Sequence, residues 1–163
     1  MHTAAYDYVA RWARLRGPVG HVLEVGSLDL NGNVRELWQA ASYVGIDVVP
    51  GPGVDVVADG ATYAPPVQVD VALCCEVLEH TPAAAAIVAN LAKALTLGGW
   101  LVITAAGPDR APHSAVDGAG LRPGEWYRNL TTFDLRQWLE AAGLVVRDLS
   151  DVGADVRAVG VRA

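Results

Sequence analysis

Three acidic residues stand at or just beyond the ends of short apolar runs: Glu24 in "HVLEV", Asp47 in "YVGID" and Asp59 in "VDVVADG". If the runs are strands of a parallel sheet, their ends open on one crevice, where open α/β sheets hold ligands. Asp47 follows the first run by about twenty residues, the spacing of an acid that accepts from two ribose hydroxyls. Asp59 would accept from an exocyclic adenine amine. After Glu24 comes Gly26, then a polar turn with Asp29, Asn31 and Gly32. The spacing is not G-x-G-x-x-G, because Leu28 takes the place of the second glycine. A carboxylate at Glu24 would repel a pyrophosphate and suits an ammonium or a sulfonium. A lone acid at a strand end ordinarily shapes a turn. Three in step argue for one ligand with adenine, ribose and positive charge.

S-adenosylmethionine combines these parts, and its carboxylate could meet backbone amides after the turn. For methyl transfer a protein must align a nucleophile and, where needed, take its proton. Two places offer a base. In "EVLEH", Glu76, Glu79 and His80 fall at i, i+3 and i+4, and at a helix start they would share one face. Such a face could hold a divalent ion or bring His80 to the methyl group. The simpler reading, adopted here, is a polar helix start without a metal. The other place is His113, in a connection of about 25 residues, longer than a compact domain needs without a function. That stretch, 106–130, also carries Asp109, Arg110, Ser114, Arg122, Glu125, Trp126 and Tyr127. Trp126 and Tyr127 could wall an acceptor pocket, and Arg110 and Arg122 could meet an anionic group. His113 is expected as the base, with His80 as the second candidate.

Helical and extended patterns alternate around these residues. Ala5, Tyr8, Val9 and Trp12 recur at helix spacing until Gly17-Pro18. "HVLEV" is a strand, and Val34, Leu37, Trp38 and Ala41 mark a second amphipathic helix. "YVGID", "VDVVA" and "VDVALCC" are further strands. Thr81-Pro82 reads as an N-cap with proline at the first helical position, and Gly98-Gly99 as that helix's end. "WLVITA" is a fifth strand. Thr131 or Thr132 caps a helix bearing Leu135, Trp138 and Leu139, closed by Gly143. "LVVRDL" and "ADVRAVGV" close the chain, joined by too short a link for a parallel crossover, so one of them runs antiparallel. The expected architecture is a Rossmann-like α/β fold. It has a seven-stranded, mostly parallel sheet, helices on both faces and an antiparallel C-terminal strand. Residues 1–163 are expected to form one domain, with 1–17 an N-terminal helix and 18–163 the core.

Composition narrows the function. With 163 residues, 52% hydrophobic and 18% charged, the chain can bury one real core. The net charge of −6, with 12 basic residues scattered along the chain, weighs against nucleic acid as partner. No apolar run approaches the roughly 18 residues of a membrane span, and the chain is read as cytoplasmic. Cys74 and Cys75 are adjacent, which disfavours a bridge between them, and they have no zinc-binding partners in sequence. They are read as reduced, with one packed inside.

"VLEVGSLDLNG", "YVGIDVVP", "VVADG", "ALCCEVLEHTP" and "LTLGGWLVIT" together resemble the successive motifs of class I S-adenosylmethionine-dependent methyltransferases, from about residue 20 onward. The resemblance implies that Glu24, Gly26 and Ser27 lie along the methionine portion and that Asp47, with Val48, lies on the ribose. It implies Asp59 and Gly60 on the adenine, and Cys75 and Glu76 lining the cofactor beyond the fourth strand. The sequence departs from the family pattern at Leu28, Asp29 and Asn31, where further glycines are common. "CCEVLEHTP" is most similar to the branch that methylates small molecules on oxygen, and no Asp-Pro-Pro-Tyr-like segment of the base-methylating branch follows the fourth strand. The expected function is methyl transfer from S-adenosyl-L-methionine to a small-molecule acceptor, at oxygen or nitrogen. The alternatives are a non-catalytic S-adenosylmethionine-binding partner or sensor, and an NAD-dependent oxidoreductase.

Overall fold

The computed structural model describes residues 2–163. Helix α1 (Thr3–Arg16) leads into β1 (Val19–Val25), β2 (Ala40–Asp47), β3 (Val56–Val57) and β4 (Val69–Cys75). Then come α2 (Ala84–Ala94), β5 (Leu95–Ala106), α3 (Thr132–Ala141), β6 (Leu144–Val152) and β7 (Asp155–Arg162). The seven strands lie in the order β3-β2-β1-β4-β5-β7-β6. Strands β1 to β5 pair in parallel, and β7 runs antiparallel to both β5 and β6. The antiparallel strand is therefore the last one. From β1 the chain steps outward to β2 and β3, then returns to lay β4 on the other side of β1. This is the topological switch point at which such sheets open a crevice.

The alternation of β1 explains the two layers. Leu23 and Val25 face the cluster built by Ile87 and Leu91 of α2 and Leu135 and Leu139 of α3. Val22 faces the cluster of Tyr8, Val9 and Trp12 of α1. Thr131 caps α3 by accepting from the Asp134 amide, while Asp134 accepts from the Thr131 amide in return. Leu139 is fully buried and Leu15 is 59% exposed. Leu139→Ala is expected to cost about 2–5 kcal/mol in urea unfolding, and Leu15→Ala less than about 0.5 kcal/mol. Similar costs for the two would contradict this packing.

Four local expectations are corrected. The helix expected around Val34 to Ala41 is a single 3₁₀ turn, Arg35–Leu37. Val34 and Trp38 are buried on the α1 layer as their spacing demanded. Yet Asp29 accepts from the Gly32 amide at 2.7 Å and Asn33 accepts from the Arg35 amide at 3.1 Å. These side-chain bonds hold the backbone in turns that compete with a helix. The third strand shrinks to Val56–Val57, an exposed edge. Thr81 accepts from the Ala83 amide at 3.0 Å, but α2 starts later, at Ala84. It also ends at Ala94, because Leu95 already pairs with Val69 as part of β5. No helix among the described residues is long and apolar enough to cross a membrane.

Candidate active site

The switch point opens into a cavity of about 550 Å³. Each residue expected on the cofactor lines it: Glu24, Gly26, Ser27, Asp47, Val48, Asp59, Gly60, Cys75 and Glu76. Strand register brings them together. Glu24 sits opposite Gly45 of β2 and Leu73 of β4, so Asp47 and Cys75 lie one pleat further along on either side. Gly26 turns the chain at φ +81°, and a Cβ there would lie 2.0 Å from Val77 Cγ2. Only glycine satisfies both the backbone and the space. Gly26→Ala is expected to abolish cofactor binding and lower thermal stability, and an unchanged melting temperature would contradict this packing.

Glu24 is 3% exposed. The Tyr43 hydroxyl donates to it at 2.8 Å. Burial pushes the Glu24 carboxyl up to about 7, against the opposing pull of Tyr43 and of the Arg35 guanidinium. A buried carboxylate with so little compensation has room in its electrostatics for a cation. Ser27 is also buried, and its Oγ has no hydrogen-bond partner among the described residues. Asp47 accepts from the amides of Leu28 at 3.3 Å and Val49 at 3.1 Å, which ties the turn after β1 to the turn after β2. Asp59 shapes its own turn, accepting from the Ala61 amide at 2.8 Å through Oδ1. Cys74 and Cys75 are both buried and unbridged, and burial pushes both thiols up.

A second cavity, of about 580 Å³, adjoins the first and shares Leu30, Asn31, Glu76, His80 and Ala115 with it. Arg110 to Ala115 form much of its wall, so the long connection lies over the ligand edge. That connection is held at its base. Asn129 donates to the carbonyls of Gly107 and Arg110, and the Leu130 amide donates to the Ala106 carbonyl at 2.8 Å. Ser114 donates to Glu125 at 2.7 Å.

The two places that offered a base are one place. The rings of His80 and His113 pack edge to face with centroids 4.9 Å apart, and Tyr127 closes a triangle at 5.4 and 5.1 Å. His113 Nδ1 lies 3.1 Å from the Ala111 carbonyl. Donation there leaves Nε2 as the free lone pair. Burial, reinforced by His113, pulls His80 down to about 4.

"EVLEH" does not form one helix face. Glu76 takes φ +58° and is followed by a single 3₁₀ turn, Leu78–His80. The carboxylates part there. Glu76 accepts from the Thr104 hydroxyl at 3.0 Å, whereas Glu79, fully buried, accepts from the Ala106 amide at 3.0 Å. Burial and the neighbouring Glu76 charge push Glu79 up to about 8. Burial opposes the charge on Glu76 too, but His2, Thr104 and Arg110 hold its carboxyl below the usual range.

Other expectations shift. Arg110 lines the second cavity but is bound to Asp155 and lies 3.6 Å from Glu76, so its charge is already answered. Arg122 pairs with Asp117 on the surface and lines neither cavity. Trp126 is half exposed and walls neither. The sequence reading missed Tyr43, His2 and Asp155. Tyr43 could have been found as an aromatic on the strand beside Glu24, but nothing local marks the other two.

The sequence matches the family model described as a methyltransferase domain over residues 1–149. The chain belongs to the methyltransferase-domain family. No curated protein matches this methyltransferase significantly. Solved structures share its fold. One is the 1,6-didemethyltoxoflavin-N1-methyltransferase of Burkholderia thailandensis, bound to 1,6-didemethyltoxoflavin and S-adenosylhomocysteine, at TM-score 0.73 and 18% identity. The match covers 98% of this chain and 79% of that one. A sugar N-methyltransferase from Streptoalloteichus gives TM-score 0.71 at 20% identity, over 98% and 87% of the two chains. An S-adenosylmethionine-dependent methyltransferase from Clostridium acetobutylicum gives 0.72 at 11%, over 100% and 93%. At these identities the likeness is one of fold. The family match and the antiparallel β7 remove the nicotinamide reading.

Proposed function

We propose that this methyltransferase uses S-adenosyl-L-methionine to methylate a small-molecule acceptor at oxygen or nitrogen. The observation that carries the reading is the cavity at the switch point, with a buried, raised Glu24 beside Gly26 and acids at the next two strand ends. Those residues fit the group: Glu24 answers positive charge, Asp47 faces a diol and Asp59 keeps one carboxylate oxygen beyond its turn bond. Bound there, S-adenosylmethionine supplies an electrophilic methyl carbon on a sulfonium leaving group. The adjoining cavity receives the acceptor, and residues 107–127 close over it. His113 handles the acceptor's proton through Nε2, and His80, on the wall between the cavities, is the second candidate. The fold shared with a sugar N-methyltransferase and a 1,6-didemethyltoxoflavin-N1-methyltransferase supports a small acceptor.

The test is calorimetry with S-adenosylmethionine and its demethylated product, followed by turnover of oxygen and nitrogen acceptors. Binding of NAD without binding of either S-adenosyl compound would overturn the reading. Asp47→Asn is expected to weaken S-adenosylmethionine binding about tenfold or more, since hydrogen bonds to a charged group contribute roughly 1.5–3 kcal/mol. Asp47→Ala should weaken it further, because the Leu28 and Val49 amides also lose their acceptor. Unchanged affinity in both variants would place the ribose elsewhere.

A further inference from the structure

We propose that Glu79, His80 and His113 hold a divalent transition-metal ion, and that His113 acts on an oxygen acceptor through that ion instead of taking the proton on its own Nε2. The proposal rests on the methyltransferase reading for its chemistry and on the side chains alone for its geometry. One carboxylate oxygen of Glu79 and one ring nitrogen of each histidine lie within 4.8 Å of one another. Ligand atoms held tetrahedrally at about 2.1 Å from one ion lie about 3.4 Å apart, so the three must draw together by up to about 1.4 Å to complete the shell.

Three further observations point to a cation. Glu79 is fully buried and uses Oε1 on the Ala106 amide, while Oε2 has no partner on any other described residue. His80 Nδ1 is buried without a hydrogen-bond partner among the described residues as well. A carboxylate oxygen withdrawn from water needs a donor or a cation, and in the tautomer protonated on Nε2 the His80 Nδ1 does too. On His113, donation from Nδ1 to the Ala111 carbonyl would fix the tautomer and present Nε2, the arrangement that orients metal-binding imidazoles.

The neighbouring group of His2, Glu76 and Asp155 is equally compact but differs in one respect. There the Arg110 guanidinium is bonded to Asp155 and close to Glu76, so a fixed cation already sits among the acids. Among the described residues no cation forms an ion pair with Glu79, on which the Arg110 charge acts only from a distance.

Two imidazoles and one carboxylate favour zinc, manganese, iron or cobalt over magnesium or calcium. Three protein ligands leave positions open, and both histidines line the acceptor cavity. An acceptor hydroxyl at an open position becomes more acidic. Its O–H bond breaks and the proton leaves to solvent through the chamber. The oxygen's electron pair then forms the C–O bond while the methyl–sulfur bond breaks onto sulfur. With that ion bound, oxygen would be favoured over nitrogen as the atom methylated.

The test is calorimetric titration of chelator-treated, full-length protein with Zn(II) and Co(II), with Co(II) visible absorption as the coordination readout. One equivalent is expected to bind, with ligand-field bands, and excess Mg(II) should not displace it. His113→Ala and His80→Ala should each weaken binding about a hundredfold or more, and His21→Ala, at the far end of β1, should leave it unchanged. Because Glu79 is buried, Glu79→Gln is read only if its circular dichroism matches wild type. The histidine variants decide the matter in either case. Absence of stoichiometric binding, or unchanged binding in both histidine variants, overturns the proposal. S-adenosylmethionine binding is measured on the same metal-free protein. If it is intact while metal binding fails, only the ion is lost. If it fails, the methyltransferase reading falls whatever the metal does.

Discussion

Glu24→Gln is expected to bind S-adenosylmethionine ten- to a hundredfold more weakly than wild type at pH 8, from the roughly 1.5–3 kcal/mol of a charged hydrogen bond. The substitution keeps the shape and an acceptor for the Tyr43 hydroxyl. What it removes is the charge. The wild-type carboxyl sits near 7 because burial outweighs the help of Tyr43 and Arg35. A cation binds only the ionised form, so the affinity advantage of wild type over variant should shrink about tenfold per pH unit below 7. Comparing the two proteins cancels any titration of the ligand itself.

The same charge makes a second, opposite contribution. A carboxyl whose native value lies above its unfolded value gives the folded state more bound protons between about 4.5 and 7. Its contribution to stability is therefore present below the unfolded value and lost as pH rises through the native one. Relative to wild type, ligand-free Glu24→Gln should gain stability as pH rises from 5 to 8, by up to about 3 kcal/mol for a shift of this size. Equal affinity of variant and wild type at pH 8 would remove Glu24 from the cofactor site. A stability difference flat in pH would mean the carboxyl is not buried as described.

That Glu24 lines the cavity followed from sequence, whereas the meeting of Glu79 and His80 with His113 did not, and the difference is a matter of where the signal lies. Glu24, Asp47 and Asp59 are tied to strand ends, and a parallel sheet brings strand ends together whatever the loops do. The apolar runs at 21–25, 69–75 and 100–105 needed no context, since strands buried on both faces read as continuous hydrophobic segments. Elements set by side-chain-to-backbone bonds were harder. Asn33 and Asp29 turned an apparent helix into one 3₁₀ turn, although Val34 and Trp38 kept the burial that their spacing announced. Around "EVLEH" the spacing misled, because i, i+3, i+4 implies a shared face only on a helix. The positive φ of Glu76 sends the two carboxylates to different partners, Thr104 and Ala106, both on β5. The meeting of His80 with His113 was invisible for another reason. It depends on how the long connection is pinned by Asn129, a tertiary contact with no periodic trace in the sequence.

That meeting governs the expected behaviour of the histidines. His113→Ala is expected to lower turnover about a hundredfold or more once an acceptor is known, the usual weight of a group that handles a proton in the transition state. The Tyr127 ring and the pinned base of the loop remain, so S-adenosylmethionine affinity should stay within about threefold of wild type; a parallel loss of affinity would mean the loop had collapsed. The companion variant separates two routes. If both rings hold an ion, His80→Ala should fall as far as His113→Ala, both should lose bound metal, and chelation should silence the wild type. If the His113 ring takes the proton by itself, His80→Ala should fall less and activity should survive the chelator. Hydrogen exchange adds an independent view of the loop. Amides of residues 107–127 should slow when cofactor and acceptor are both present, as a lid that excludes water requires, while Glu76 to His80 change less. No effect of either histidine variant on turnover would mean the acceptor arrives already nucleophilic, leaving the two cavities to work by alignment alone.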